Sequence, residues 1–244
     1  MSATEDYQTF RFRTTRWRIV VAARDTAEPS AREAMASLCQ TYWPPLYAYI
    51  RRKGYSHPEA QDLTQGFFTR LLEKHYLKDY QREKGRFRTF LIAALKHFIA
   101  NEWQREHALK RAGDVNHESI DILFDERAVS LVDDKVLTPE EAYERQWGVT
   151  LLTAVRVRLK DYYNELGKGE LFARLRFAID DTLNGEPYAG LARDLGTTVG
   201  AVKVWIHRIR KRYRDYLREE ISATVADPDE IEDELQHLLA VLSG

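Results

Sequence analysis

The residues of this chain best suited to binding chemistry are cations. Their densest group lies in the C-terminal quarter of the sequence and has the spacing of a helix. Residues 196–214 contain six bases and no acid. The six are Lys203, Arg208, Arg210, Lys211, Arg212 and Arg214. A helix carrying this charge could bind phosphates and base edges in a DNA major groove. The alternative is a helical hairpin in an all-α core whose basic face is only solvated.

The residues around this basic helix predict the hairpin that would position it. The apolar residues that two crossing helices would bury against each other are Leu191, Leu195, Val202 and Trp205. Ala192 is small enough to let the second helix approach, and Gly196 can adopt the positive φ of a sharp turn. Thr197 or Thr198 can then cap the second helix. Turn chemistry and charge together favour nucleic-acid binding.

A second basic stretch mixes its cations with aromatic rings. Residues 82–111 contain eight bases and three acids. The mixture includes Arg86, Phe87, Arg88, Phe90, Lys96, His97, Trp103 and Arg105. Such a face suits single-stranded nucleic acid, because cations follow the phosphates and rings receive unstacked bases. Phe87 and Phe90 are three residues apart, so either ring could equally be part of the core.

Composition and charge distribution restrict the possible function classes. The formal net charge of −1 hides acidic stretches at residues 113–145 and 219–244, which alternate with the two basic ones. This segregation favours DNA-facing surfaces with acidic segments that connect or shield them. No phosphate-cradling glycine loop, metal-ligand spacing or nucleophile motif is recognisable, so we expect no enzyme, cofactor or metal. The single cysteine, Cys39, lies on an apolar face and is expected to be a structural thiol.

Hydrophobic spacing is helical nearly throughout, which predicts an all-α fold. We expect two helical domains, residues 14–112 and 138–220, joined by an acidic linker at residues 113–137 and followed by an acidic tail at residues 221–244. Expected helices cover residues 14–25, 30–53, 58 onward, 86–112, 138–166, 168–184 and the hairpin. Pro44 and Pro45 should bend or break the second of these near Trp43. No leader or membrane segment is predicted, which favours the cytoplasm.

Residues 41–74, 85–106 and 188–214 together resemble the bacterial RNA polymerase sigma factors of the sigma-70 family. The similarity is to the short, two-domain extracytoplasmic-function (ECF) class. It depends on the Asp62-Leu63-Thr64-Gln65 motif, on the Gly85-to-Leu91 segment that opens the basic helix, and on the terminal helix-turn-helix. The pairing of these motifs at this spacing is far more specific than a helix-turn-helix alone.

The resemblance implies a non-enzymatic factor that directs core polymerase to promoters and initiates transcription. Implied partners are the β′ clamp helices and β subunit of polymerase, promoter DNA and an anti-sigma factor. The positions carried over for polymerase binding are Asp62, Leu63, Gln65 and Phe68. The loop from Lys78 to Gly85 would determine which −10 sequence is recognised. Binding of that element would involve Arg86, Phe87, Arg88, Phe90, Lys96, Asn101 and Arg105.

For the −35 element, the matching positions are Thr198, Gly200, Lys203, Val204, His207, Arg208 and Arg210. The chain departs from the family pattern at Gly66, where glutamate is usual, and at Phe90, where tryptophan is usual. Val204 and Trp205 replace a Ser-Arg pair, and Trp205 is expected in the core. The alternative function is a stand-alone helix-turn-helix regulator, which would bind duplex DNA by itself, usually as a dimer.

The tail adds one more expectation. Residues 219–244 contain eight acids, and the stripe of Ile231, Leu235, Leu238 and Leu242 predicts a short amphipathic helix after Pro228. This helix could fold back on a domain or shield the basic helices. A solvated terminal helix is equally compatible with the pattern.

Overall fold

The structure is a computed structural model that describes residues 29–73, 77, 80, 85–112, 137–179, 186–225 and 227–243. These residues form eight α-helices and one 3₁₀ helix, with no strand among them, so the predicted all-α fold is confirmed. The helix expected at residues 14–25, most of the loop at residues 78–85 and nearly all of the linker at residues 113–137 lie outside the described residues. Within the described part, no helix is long and apolar enough to cross a membrane.

The helices follow the predicted order. They are α1 (Pro29–Arg52), α2 (His57–Glu73), α3 (Phe87–Ala112), α4 (Pro139–Glu165), α5 (Gly169–Leu175), α6 (Glu186–Asp194), α7 (Val199–Ser222) and α8 (Glu230–Ser243). The 3₁₀ helix, Arg176–Ile179, directly follows α5. The single helix expected over residues 168–184 is therefore wrong, because α5 ends at Leu175 and the chain tightens into the 3₁₀ turn, which buries Ala178.

The chain divides into two compact units. The larger unit contains the described residues up to Leu151 together with Ile221 to Ser243, and the smaller unit contains Leu152 to Glu220. The division thus falls inside α4 rather than in the acidic linker. The tail helix α8 belongs to the larger unit, although in sequence it follows the smaller one.

In the larger unit, α1 runs through both of its prolines without a break. Of the two outcomes expected near Trp43, the break is therefore wrong, and the bend stays a prediction. A proline inside a helix removes one backbone hydrogen bond and costs about 3 kcal/mol. Every residue from Thr41 to Ile50 is buried, including both prolines. Burial of these large side chains, worth about 1.5–3 kcal/mol each, offsets the cost.

Two helices of the larger unit begin with the same reciprocal cap. At α2, the backbone N–H of Ser56 donates to Glu59 Oε2 at 2.7 Å, and the Glu59 N–H faces Ser56 Oγ at 3.5 Å. At α4, Thr138 and Glu141 repeat the arrangement at 2.7 and 3.2 Å. These capping boxes satisfy backbone donors that have no partner within the helix. The hydrogen bonds to Ser56 lower the pKa of Glu59.

In the smaller unit, α6 and α7 are joined by the short turn that the sequence predicts. Gly196 has a φ of 60°, and the N–H of Thr197 donates to the Ala192 carbonyl at 2.8 Å. This pattern ends α6 in a Schellman motif, which requires a residue that tolerates positive φ. Thr198 then caps α7, because its Oγ1 accepts from the Ala201 N–H at 3.2 Å.

A single apolar cluster holds the smaller unit together. Its buried members come from every described helix of the unit: Val155, Leu159, Phe172, Leu175, Ala178, Ala192, Val202, Ile206, Ile209 and Tyr216. Leu191, Leu195 and Trp205 pack against the cluster while partly exposed. The small side chain expected at the helix crossing, Ala192, is buried at that crossing. The cluster fixes which face of α7 points outward.

Candidate functional site

The first candidate surface is the exposed side of α2. Asp62 is exposed, and Leu63 and Gln65 are half-buried. Phe68, the fourth residue expected to bind polymerase, is buried instead, and its ring stacks on Trp43 with centroids 5.9 Å apart. Phe68 therefore supports α2 from the core side, because its position six residues after Asp62 turns it toward α1.

Gly66, in the middle of α2, lies at a close approach between helices. A Cβ atom at this position would come within 3.3 Å of the ring of Phe98 on α3. Glycine costs about 1 kcal/mol relative to alanine inside a helix. The closeness of Phe98 is a packing reason for glycine at this position, because a side chain here would require the Phe98 ring to shift by a few tenths of an ångström.

The aromatic residues at the start of α3 are largely core. Phe87 is buried between Tyr42 and Tyr80, at centroid distances of 5.4 and 5.1 Å. Phe90 is half-buried and lies 5.1 Å from the same Tyr80 ring. Tyr80 is anchored because its hydroxyl donates to the Gly85 carbonyl at 2.7 Å. Of the two rings expected to receive bases, only Phe90 retains an exposed part.

Arg88 is a cation of the predicted DNA-binding set, but only 3% of it is exposed. Its Nε donates to Glu144 at 2.9 Å, its Nη1 donates to Glu234, and its guanidinium lies 4.3 Å from the Trp147 ring centre. Burial alone would lower the pKa of Arg88, but Glu234 and Glu144 outweigh it and the pKa is raised. The guanidinium is thus charged, buried and engaged from several sides.

Arg86 also contacts the tail helix. Its Nη1 lies 2.9 Å from Glu234 Oε2, and the Glu234 side chain has no exposed surface. Although this is an ion-pair distance, Oε2 accepts no hydrogen bond from any described donor. Glu234 therefore lies between Arg86, just before α3, and Arg88, in its first turn, and only one of its oxygens accepts a hydrogen bond from the described residues.

Farther along α3, the predicted residues remain on the surface. Lys96, Asn101 and Arg105 are exposed. Lys96 pairs with Glu140 at 2.7 Å, and Arg105 lies 3.7 Å from Glu102. Trp103, left out of the predicted binding set, is 55% exposed and is the largest exposed ring on this helix. This part of α3 can offer cations and a ring to a nucleic acid strand.

The tail helix packs closely on α4 of the same unit. A Cβ atom at Gly148 would come within 2.8 Å of Leu238 Cδ1 and 3.3 Å of Leu242 Cδ2. The predicted apolar stripe thus faces inward. Sequence reasoning missed Glu234, although its spacing from Ile231 and Leu238 places it on that same stripe. An acid within an apolar stripe is the signal that could have revealed a buried ion pair.

The second basic surface is the outward face of α7, opposite the apolar cluster. Lys203, Val204, His207, Arg208 and Lys211 are all exposed on this face. Among the described residues, no carboxylate pairs with Lys203, Arg208 or Lys211. The Lys203 ammonium lies 5.5 Å from the centre of the Tyr188 ring, which holds it near the start of the helix.

The remaining residues expected at the −35 element have structural contacts. Thr198 caps α7, and Gly200, in its first turn, is exposed. Arg210 is half-buried, and its Nε donates to the Ala178 carbonyl at 2.7 Å. Arg210 therefore ties α7 to the 3₁₀ helix, whereas Lys203, Val204, His207 and Arg208 form the accessible part of the predicted set.

Groups that could support other chemistry are few in the described part of the chain. No cluster of three or more metal-ligating side chains occurs there. Burial raises the pKa of the Cys39 thiol to about 12, so the thiol is not a reactive nucleophile. The arrangement of the described residues suits binding through charge and shape.

Comparison with known proteins gives one match. Residues 38–108 match the family described as Sigma-70 region 2. The resemblance to the sigma-70 family is thereby confirmed, and the chain carries its region 2 domain in α1, α2 and most of α3. Such a domain implies binding to core RNA polymerase and promoter DNA. Neither a curated protein nor a solved structure matched the chain.

Proposed function

We propose that this chain is an ECF-type sigma factor that directs bacterial core RNA polymerase to promoters and initiates transcription in the cytoplasm. The observation that carries the proposal is the region 2 match at residues 38–108. The match coincides with the helices that hold the exposed Asp62 and the surface cations of α3. Proposed partners are the β′ clamp helices, the β subunit, promoter DNA and an anti-sigma protein.

In this proposal, α2 contacts the clamp helices through Asp62, Leu63 and Gln65. A carboxylate, an amide and an apolar side chain on one face suit a protein–protein surface with mixed chemistry. Phe68 contributes indirectly, because its stack on Trp43 holds α2 against α1. This role replaces the direct contact that the resemblance implies for Phe68.

Promoter DNA would be bound by two separate basic surfaces. Single-stranded −10 DNA would lie on α3, with Lys96, Asn101 and Arg105 on the surface and Phe90 partly available to a base. Arg86 and Arg88 would join this surface. Duplex −35 DNA would be read by α7 through Lys203, Val204, His207 and Arg208, since lysine and arginine can bind guanine edges or phosphates. The exposed Val204 can meet a thymine methyl group.

Titration with bacterial core RNA polymerase, followed by size-exclusion chromatography at moderate salt, tests the proposal. We expect a stoichiometric complex with the wild-type chain and a large loss of complex with Asp62→Arg. A matched control is Glu33→Arg, which reverses another exposed acid of the same unit. Absence of any complex, or an equal loss with both variants, would overturn the proposed docking surface.

A stand-alone regulator is the competing function, and the exposed cations on α7, which pair with no carboxylate among the described residues, favour it as the second candidate. Such a protein should bind duplex DNA tightly without polymerase. A sigma factor should bind promoter DNA weakly until core polymerase is present. Tight duplex binding by the protein alone, without polymerase binding, would therefore decide for the regulator.

A further inference from the structure

The contact between α8 and the start of α3 has features of a built interface. Glu234 has no exposed surface and lies against both Arg86 and Arg88. Leu238 and Leu242 close over Gly148, where even a methyl group would approach Leu238 to 2.8 Å. Charge and packing both hold the tail helix in one position, so the contact is specific.

The Glu234 carboxylate of the tail helix pairs with two guanidinium groups, those of Arg86 and Arg88, that a nucleic acid would need. The guanidinium fork binds carboxylates and phosphates with the same geometry. Arg88, with 3% exposure, has no surface for a phosphate while Glu234 and Trp147 enclose it. The Arg86 side chain keeps 34% exposure but faces Glu234. The tail therefore stands where a phosphate of the strand on α3 would bind.

The contact also contains a weakness that would allow its exchange. Glu234 Oε2 is buried and accepts no hydrogen bond from the described residues, although Arg86 lies 2.9 Å away. The Arg86 contact is therefore an ion pair with poor hydrogen-bond alignment, which holds Oε2 less strongly than a well-aligned hydrogen bond would. A DNA phosphate that bound both arginines would let Glu234 return to water, where both of its oxygens are solvated.

We propose that α8 is an intramolecular inhibitor of single-stranded DNA binding, in which Glu234 and the DNA compete for Arg86 and Arg88. The inference rests on the proposed function, because it assigns these two arginines to the −10 strand. Competition is reciprocal, so DNA must loosen α8 by the same factor by which α8 weakens DNA binding.

The test uses full-length variants and a fluorescein-labelled single-stranded oligonucleotide, titrated at low salt and followed by anisotropy. Glu234→Gln removes the competing charge, and Leu238→Ala removes packing without changing charge. Each should tighten binding about fivefold or more. The matched controls are Glu232→Gln and Leu239→Ala, which change exposed residues of α8. Each control should stay within about twofold of wild type.

Adding Arg86→Ala separates this inference from the proposed function. If Arg86→Ala weakens wild-type binding while Glu234→Gln and Leu238→Ala match their controls, the inhibitory role is wrong and the −10 assignment stands. If no variant binds the oligonucleotide even with core polymerase present, or if binding by the Glu234→Gln protein is insensitive to Arg86→Ala, the inhibitory role and the −10 assignment of these arginines are both wrong.

Hydrogen exchange on the wild-type chain gives a readout that needs no variant. Saturating oligonucleotide should increase amide exchange in α8. Unchanged exchange at saturation would overturn the competition. This measurement also decides the case if circular dichroism shows either test variant to be unfolded.

Discussion

The two basic helices, α3 and α7, look alike in sequence but differ in the state of their cations. At the start of α3 and along it, carboxylates pair with Arg86, Arg88 and Lys96. On α7, no described carboxylate pairs with Lys203 or Arg208. The candidate surface for single-stranded DNA is thus partly neutralised within its own unit, while no described carboxylate neutralises Lys203 or Arg208 on the candidate surface for duplex DNA.

The difference arises from residues that are remote in sequence. The acids that enclose Arg88 are 56 and 146 positions away. Local charge counts detect both basic helices equally well and give no sign of these partners. Positive charge in a sequence therefore indicates a nucleic-acid surface only after the distant acids have been located.

The largest expected effect is the loss of stability on removing Arg88, the buried cation of α3. Arg88→Ala would leave Glu234 buried without its hydrogen-bond donor, because the Arg88 Nη1 that reaches it is removed. Removing one partner of a buried pair costs about 3–5 kcal/mol in the free energy of unfolding. Urea denaturation followed by tryptophan fluorescence measures this loss. Arg208→Ala on α7 is the comparison and should change stability by no more than about 0.5 kcal/mol.

The same experiment includes a rescue. Replacing both members of a buried pair with apolar residues is often neutral. Arg88→Met combined with Glu234→Leu should therefore recover most of the stability lost in Arg88→Ala. A loss below about 1 kcal/mol for Arg88→Ala would show that the pair lies in a well-solvated setting, contrary to its burial.

The next effect concerns the open surface of α7. Lys203→Glu with Arg208→Glu should lower duplex affinity at least tenfold and reduce the slope of log K against log salt by about 2. The protein should keep its polymerase binding. Arg174→Glu with Arg176→Glu reverses two exposed cations elsewhere in the smaller unit and should change the slope little. Equal effects of the two double variants would contradict a specific surface on α7.

The smallest effect belongs to the exposed ion pair that joins α3 to α4, between Lys96 and Glu140. Their side chains are 46% and 52% exposed, so a double-mutant cycle should give a coupling below about 1 kcal/mol that decreases with salt. The hydrogen bond from Lys96 lowers the pKa of Glu140 from its ordinary 4.5. The coupling is therefore present above that value and lost as the pH falls through the lowered pKa. A coupling above about 1 kcal/mol that persists in high salt would contradict this, because it would show that the Lys96 ion pair is shielded from solvent as the Arg88 pair is.

Local signals explain what sequence could predict of the fold. Capping residues at Ser56, Thr138 and Thr198 and the glycine at Gly196 act on their immediate neighbours, so helix starts and the turn were predictable. The continuity of α1 through Pro44 and Pro45 was not predictable from the sequence, because it depends on packing against other helices.

In the candidate site, too, features set by local sequence were predictable and features set by tertiary partners were not. The exposed residues of α7 follow from the period of its apolar face, and the region 2 motif around Asp62 was recognisable from its spacing. The burial of Phe68 and Arg88 was not predictable from residue type, because an aromatic ring or an arginine suits a binding surface as well as a core. Both are fixed by tertiary partners, Trp43 for one and Glu234 for the other.

Reconstituted transcription tests the central claim most directly. Core RNA polymerase would be incubated with the full-length protein and genomic fragments of the encoding organism, and transcript starts would be mapped. The account predicts new transcripts that begin at a shared promoter motif and disappear with Asp62→Arg. Transcripts identical to those of core polymerase alone, together with tight duplex binding by the isolated protein, would contradict it.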